Sequence, residues 1–398
     1  MANTILTPTM VTREALRVLH QKLNFIGSIN RQYDDQFAKT GAKIGTQLKI
    51  RLPNQYTVRS GAVLQTNDTT ENSVTLNLTT QKGVDLNFTS VDLTLSLDDF
   101  SKRILNPAMA VLAANIESDA LSMLTSVYNQ VSNVGSAITF AKILAARKIL
   151  RDNLTPDGDW KALVCTQDMV DLVTDTKTLF QDSGQLAEQY TEGYMGRAGG
   201  FDFTENTMLA KQASGTEVAA SSSTIVVNGA NQTGAAITVT NGSSKTLVVG
   251  DIITFPGCNR CHPETKADTG VLQQFAVTAP LASNGTSISI SPSIVTSGAT
   301  QNCIASPTSG GSAINKIGTA STSYGISAVY HEDAFTFATA DLIMPKGVDF
   351  AAREVLDGVS MRIVRQYDIN NDKFPARLDV AYGYLAMRPQ LACRLANN

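Results

Sequence analysis

The string Cys258-Asn-Arg-Cys261-His262 brings the chain's most reactive residue types together. Its spacing matches a C-x-x-C-H haem attachment site, and with the distant Cys303 it supplies ligand types suited to zinc. Each chemistry needs more than the string itself. Covalent haem attachment belongs to exported chains, and Met1-Ala-Asn-Thr-Ile lacks the basic-then-apolar layout of a secretory signal. A porphyrin also needs an apolar helix to cover it, whereas this string follows Pro256-Gly257 between strand-like runs. A structural zinc site wants a second tight ligand pair, which the sequence does not offer. The context predicts a turn with two free thiols and neither haem nor metal.

Other constellations yield to the same weighing. Asp368-Ile-Asn-Asn-Asp372, with Asp379 further on, imitates a calcium loop. Lys373 stands where such a loop needs glycine for its sharp turn, so a polar hairpin turn is expected. His20, His262 and His331 have no serine or cysteine arranged as a triad, and no G-x-S-x-G occurs. His331-Glu332-Asp333 reads as a solvated turn between strands. Gly196-Arg-Ala-Gly-Gly200 lacks the Lys-Ser/Thr ending of a phosphate loop. The sequons at Asn67, Asn77 and Asn87 read as strand and turn composition. The basic stretch Lys39, Lys43, Lys49, Arg51 and Arg59 suits either a solvated loop or charge pairing between neighbouring subunits. The sequence therefore predicts no catalytic, cofactor-binding or metal-binding residue, and no enzyme.

The elements carrying these residues are more informative. The chain has 398 residues, enough for two or three domains with sizeable cores. A net charge of -3 with 17% charged residues argues against a dedicated nucleic-acid binder, and 43% hydrophobic residues argue against disorder. No apolar run reaches membrane-span length. The five cysteines, an odd number, fit free thiols in a reducing cytoplasm. From Ala213 to Ser323 the composition shifts to Ser, Thr, Gly and Ala with few charges. Short β-branched runs there, punctuated by Gly, Asn and Pro, predict a small antiparallel barrel or sandwich. Gly250-Asp251 is expected to be a hairpin loop, and Pro256-Gly257 and Asn284-Gly285 strand ends. Val226, Ile237, Val239, Ile252, Phe255, Phe275, Val277, Ile288 and Ile290 are the expected core, closed enough for the block to fold alone.

Around this block lies an α+β host. Thr12 to Asn24 reads as an amphipathic helix with Leu16, Leu19 and Leu23 in one stripe, too short to be a core unaided. Thr46 to Leu52 and Gln55 to Val58, split by Pro53, and Val74 to Leu78 across a polar tip at Gln65 to Asn72, predict a long two-stranded loop that must lean on something else. Asn106-Pro107 caps a long helix, with Met109, Leu112, Ile116, Ala120, Met123 and Val127 at helical spacing to about Val131. Further helices are expected over Phe140 to Asn153 and Gln167 to Thr174, with a buried strand over Trp160 to Cys165. Strands near Gly325 to Tyr330, Ala334 to Thr339, Ser360 to Gln366 and Arg377 to Tyr384 follow the block.

The chain resembles the major capsid proteins of tailed double-stranded-DNA bacteriophages, in the coat-protein family that carries an inserted β-domain. The stretches carrying the resemblance include Thr12-Arg-Glu-Ala-Leu16, Tyr33-Asp-Asp-Gln-Phe-Ala38, Gly250-Asp-Ile-Ile-Thr-Phe-Pro-Gly257 and Pro263-Glu-Thr-Lys-Ala-Asp-Thr-Gly270. Lys346-Gly-Val-Asp-Phe-Ala-Ala-Arg-Glu354 and Arg362-Ile-Val-Arg-Gln-Tyr-Asp368 continue it in the same order. The resemblance implies a tailed-phage major-capsid fold. Residues 1–36 would be an N-arm, 37–92 an extended loop, and 93–134 the spine helix of a peripheral domain. Residues 135–212 would begin an axial domain, 213–323 form the inserted all-β domain, 324–350 return to the axial domain, and 351–398 supply peripheral strands. The implied function is a structural subunit of an icosahedral shell, with self-association into pentameric and hexameric capsomers. A scaffolding protein, a portal protein, decoration or minor capsid proteins, and encapsidated DNA held without sequence-specific contacts would be its partners. The rival reading is a surface adhesin or fibre-like β-protein, suggested by the Ser/Thr/Gly-rich block.

Overall fold

The computed structural model describes residues 15, 23–32, 47–59, 61–64, 71–89, 106–176, 195–218, 223–308, 313–356 and 359–397. It divides into two compact units, one of Met1–Ile50, Ser73–Leu121 and Phe335–Met387, the other of Arg51–Asn72, Ser122–Ala334 and Arg388–Asn398. Most of the expected helix over Thr12 to Asn24, with Leu16 and Leu19, lies outside the described residues. No helix among the described residues is long and apolar enough to cross a membrane.

In the first unit α1 (Asn24–Gly27) precedes the strand pair β1 (Gln47–Arg51) and β2 (Ser73–Asn77), followed by β3 (Thr80–Thr89) and the long helix α2 (Asn106–Leu121). Pro107 sits in the first turn of α2, where its missing N–H costs nothing. Met109, Leu112, Ala113, Ile116 and Ala120 form its buried face. The helix does not run to Val131. It tightens into a 3-10 turn over Ser122–Ser126, where Thr125 Oγ1 donates to Ser122 O at 2.8 Å. Gln130 to Ser132 is instead strand β4 of the second unit. Glu117, only 2% exposed, caps α1 by accepting from Phe25 N at 2.5 Å and Ile26 N at 3.4 Å. Asp119 accepts from Tyr382 Oη at 2.5 Å and Lys82 Nζ at 2.7 Å, tying α2 to the sheet.

That sheet runs in the order β16-β19-β18-β17, from β16 (Thr336–Ala340), β17 (Phe350–Leu356), β18 (Val359–Arg365) and β19 (Lys373–Leu385). β3 lies along the free edge of β19, pairing from Lys373↔Thr89 to Tyr382↔Thr80. Asp379 is buried here between Arg362 (Nη2 at 2.7 Å) and Arg377 (Nε at 2.6 Å). Only glycine fits opposite it at 83, because a Cβ would press into Leu378 O and the Asp379 carboxylate.

The second unit holds a seven-stranded sheet and a six-stranded one. The first contains β4 (Gln130–Ser132), β5 (Trp160–Val164), β6 (Arg197–Ala198), β7 (Phe201–Glu205), β8 (Lys211–Ala213), β15 (Ser323–Tyr330) and β20 (Ala392–Asn397). Their order is β4-β20-β15-β5-β7-β6, with β8 also on β15. Helices α3 (Phe140–Asp152) and α4 (Thr166–Thr176) contribute Ile143, Ala146, Leu150, Met169 and Leu172 to a core with Trp160, Phe201, Phe203 and Leu395. Strand β20 therefore joins the seven-stranded sheet, and β16 joins the sheet of the first unit.

The six-stranded antiparallel sheet is ordered β14-β11-β12-β13-β10-β9, from β9 (Ile225–Val227), β10 (Gly234–Asn241), β11 (Ile252–Cys261), β12 (Asp268–Val277), β13 (Ser287–Ile294) and β14 (Asn315–Lys316). Its core cluster spans only Ile225 to Ile314. Ala213 faces Ser323 in the β8–β15 ladder, where the chain leaves and rejoins the host sheet. Four expectations are corrected. In β9 the inward residues are Ile225 and Val227, not Val226, a slip of one in a period of two. Ile252 is buried outside this cluster, where Ile253 takes its place. Pro256-Gly257 ends no strand: β11 runs through it with a register shift between Thr254 and Asn259, and Gly257 takes φ +80°. Gly250-Asp251 likewise closes a tight turn from Val248, with Asp251 N on Val248 O at 3.0 Å, rather than a two-residue hairpin.

Candidate functional site

The structure scatters the chemistry-bearing residues. Cys258, Cys261 and Cys303 are buried to 3% exposure or less, so they are core thiols rather than members of a surface turn. The correction follows from β11 continuing past Gly257, which carries Cys258 into the module core. A hydrogen bond that the Cys303 thiol makes to Cys258, together with burial, pushes the Cys303 thiol far up. Cys261 donates to Gln301 O at 3.1 Å, and burial raises it too. His262 turns its Nδ1 to the N–H groups of Glu264 (3.3 Å) and Thr265 (3.2 Å), shaping the β11–β12 turn. Among the described residues no three His, Cys, Asp or Glu side chains converge as metal ligands.

The Asp368 loop is held by its own carboxylate, which accepts from Asn370 N at 3.0 Å and Asn371 Nδ2 at 2.7 Å. These bonds, the side-chain one foremost, hold Asp368 below its ordinary pKa. Asp379 is turned to its two arginines instead. His331 is 6% exposed, not solvated: its Nδ1 accepts from Asp333 N at 3.2 Å within the 3-10 turn Glu332–Ala334. The glycine-rich string is the β6–β7 hairpin, pairing Ala198 with Phe201 around Gly199 (φ +60°) and Gly200 (φ +90°). His20 lies outside the described residues. A cavity of about 670 Å³ in the second unit is lined by Tyr56, Tyr128, Arg260, Gln301, Arg388 and Gln390. Arg260 is engaged there by Asp152 and Asn153, each at 3.2 Å.

The surface offers something different. Between β1 and β2 the chain carries Tyr56, Val58, Val63 and Leu64 at 66% to 95% exposure, the densest group of bare large apolar side chains described. Single exposed apolar residues are ordinary, but four within nine positions of one loop are an interaction signal. Arg51 pairs with Glu71 at 3.3 Å, and Arg59 Nη1 donates to Val63 O at 3.0 Å. Two members of the basic stretch are thus engaged inside the loop, while Lys39 and Lys43 lie outside the described residues. Sequence reasoning found the two strands that flank this loop. It missed Glu117, Asp168 and Arg394, whose partners are distant in sequence. Asp168 Oδ2 accepts from Ser327 Oγ and, at 3.1 Å, from Asn397 Nδ2, while burial raises its pKa against those bonds.

The family model for P22 coat protein, gene protein 5, matches residues 31–394. A solved structure from Mycobacterium phage Che8 is similar at 12% identity and TM-score 0.48, over 92% of this chain and 88% of that one. The capsid structure of cyanophage P-SCSP1u is similar at 12% identity and TM-score 0.48, over 93% and 89%. The mature capsid of bacteriophage PhiM1 gives 10% identity and TM-score 0.46, over 89% and 82%. No curated protein matches the sequence. With the family pattern running through both units and the six-stranded sheet, the chain belongs to the P22 coat protein family.

Proposed function

We propose that this chain is the structural major capsid protein of a tailed bacteriophage, many copies of which close into an icosahedral shell around the genome. The family match over residues 31–394 carries this reading. In it, the loop between β1 and β2 laps a neighbouring subunit and covers Tyr56, Val58, Val63 and Leu64 there. The N-terminal residues act as an arm, α2 and the β3/β16–β19 sheet form the peripheral domain, and the seven-stranded sheet is the axial domain at capsomer centres. The six-stranded sheet is the inserted domain. Pentamers and hexamers of the chain form the capsomers. A scaffolding protein, a portal and decoration or minor proteins complete the particle, which is assembled in the host cytoplasm. DNA is retained by confinement, in keeping with a net charge of only -3. The chain's role is architectural, with no catalytic step. Negative-stain microscopy of the expressed chain tests this: closed shells or ring-shaped capsomers are expected, and uniform isolated subunits at all concentrations would contradict it.

A further inference from the structure

Four formally charged residues lie at 0% to 1% exposure in the second unit, around the place where the six-stranded sheet joins the seven-stranded one: Glu217, Asp251, Lys316 and Arg394. Burying such groups is costly unless fixed partners receive them. Arg394, on the last strand β20, donates from Nη2 to Gln130 Oε1 at 2.9 Å and to Gly250 O at 2.6 Å. Asp251 Oδ2 accepts from Gly215 N at 3.0 Å and Val248 N at 2.9 Å. Lys316 Nζ bonds Ser214 Oγ and donates to Thr319 O at 3.2 Å. Burial pushes Arg394 and Lys316 below their ordinary values, and Asp251 lies in electrostatic reach of both to oppose it.

These groups grip both backbones that cross between the sheets. Ser214 N bonds Thr322 O and Ser321 N bonds Gly215 O, both at 3.0 Å. A Cβ at Gly215 would press into Thr246 O and the Asp251 carboxylate, so the outgoing chain is closely seated. A second grip is independent of the charges. The Gln274 side-chain amide pairs with the peptide groups of Gln130, accepting from its N at 2.7 Å and donating to its O at 3.0 Å. Small polar crossings of the kind expected at a domain junction normally permit swivelling. Here hydrogen bonds from both sheets converge on the junction, so a swivel would have to break several of them at once.

We propose that Asp251, Lys316 and Arg394, with Gln130 and Gln274, form a clasp that fixes the six-stranded sheet to the seven-stranded sheet as one rigid body, with strand β20 supplying its central donor. The proposal does not depend on the shell reading. Hydrogen–deuterium exchange on the full chain tests it. In the wild type the crossings 211–217 and 317–323 exchange as slowly as β15. In Arg394→Met they exchange roughly tenfold faster, the factor for losing about one charged hydrogen bond, while β10, β13 and β5 keep their rates. Loop-like exchange of the crossings in the wild type, or no acceleration in the variant, overturns the clasp. Should Arg394→Met fail to fold, Gln274→Ala removes only the amide grip. It is expected to quicken exchange at 130–132 and in the crossings, and a folded Gln274→Ala with wild-type exchange there overturns the proposal.

Discussion

The two sheets of the second unit solve the same packing problem with opposite sequence economies. The six-stranded sheet closes its core with residues between Ile225 and Ile314, all inside one continuous stretch. The seven-stranded sheet gathers its core from Ile138 to Leu395, and places β20 between β4 and β15. One core is local in sequence. The other is complete only when the last residues of the chain have returned, so its ordering entropy falls due before its contacts form. The difference teaches that a composition shift can mark a core drawn from one continuous stretch, whereas a sheet assembled from distant segments leaves no such mark.

The largest test of this contrast is truncation before Ala392. Removing β20 strips Cys393 and Leu395 from the host core and leaves two strands without their neighbour. The shortened chain is expected to lose protection throughout β5, β7 and β15 while the six-stranded sheet keeps a dispersed amide spectrum. Excised residues 213–323 are expected to give that same spectrum and a cooperative melt. Collapse of both sheets together would break the contrast.

Next come single core truncations. Phe275→Ala and Phe203→Ala each remove a ring at 0% exposure, at a cost of ~3–5 kcal/mol. In denaturant titrations read separately in the two sheets, each variant should move only its own sheet's transition. Equal movement of both transitions would show one cooperative core.

A smaller effect sharpens the cysteine assignments. Cys258→Ser places a hydroxyl in the module core and is expected to cost about 1–3 kcal/mol. Cys165, half-buried at the start of α4, should tolerate serine within ~0.5 kcal/mol. Thermal melts of the two variants decide the matter, and equal melting points would return Cys258 to the surface.

The smallest effect is a pH dependence. Burial raises the folded-state pKa of Asp168 above its ordinary 3.8, despite its bonds to Ser327 and Asn397. A raised carboxyl contributes its stability fully below the unfolded pKa and loses it as pH climbs through the folded one. Wild type minus Asp168→Asn, measured as melting temperature against pH, should therefore fall as pH rises from below 3.8 toward neutrality. A difference that instead rises would show a carboxylate held in its ionised form.

Much of this fold was legible where a local pattern and its tertiary use agree. Met109, Leu112, Ile116 and Ala120 announce α2, and Trp160 to Val164 announces β5, because burial reads their periodicity directly. The pattern also continued through Met123 and Val127, which are indeed buried, but on a 3-10 turn and the residue after it. Burial alone does not distinguish those conformations. Strand β3 carries Val84, Leu86 and Phe88 at spacing two, but Gly83, Asp85 and Asn87 between them weaken the local strand signal. At Pro256-Gly257 the turn chemistry was real, but a bulge absorbed it without ending the strand. Glu117, Asp168 and Arg394 had no sequence signal. Each is a charged residue whose burial depends on partners brought near only by the finished fold. The loop carrying Tyr56, Val58, Val63 and Leu64 was visible in the sequence as a two-stranded stretch with too little core of its own.

Sedimentation velocity across a concentration series, on the intact chain and on one with residues 55–64 replaced by a short polar linker, tests the assembly reading most directly. The intact chain is expected to shift from small oligomers to shell-sized or polymeric species as concentration rises. The replaced chain should remain small while keeping its melt. A compact monomer at every concentration for the intact chain, even with a scaffolding protein added, would contradict the account.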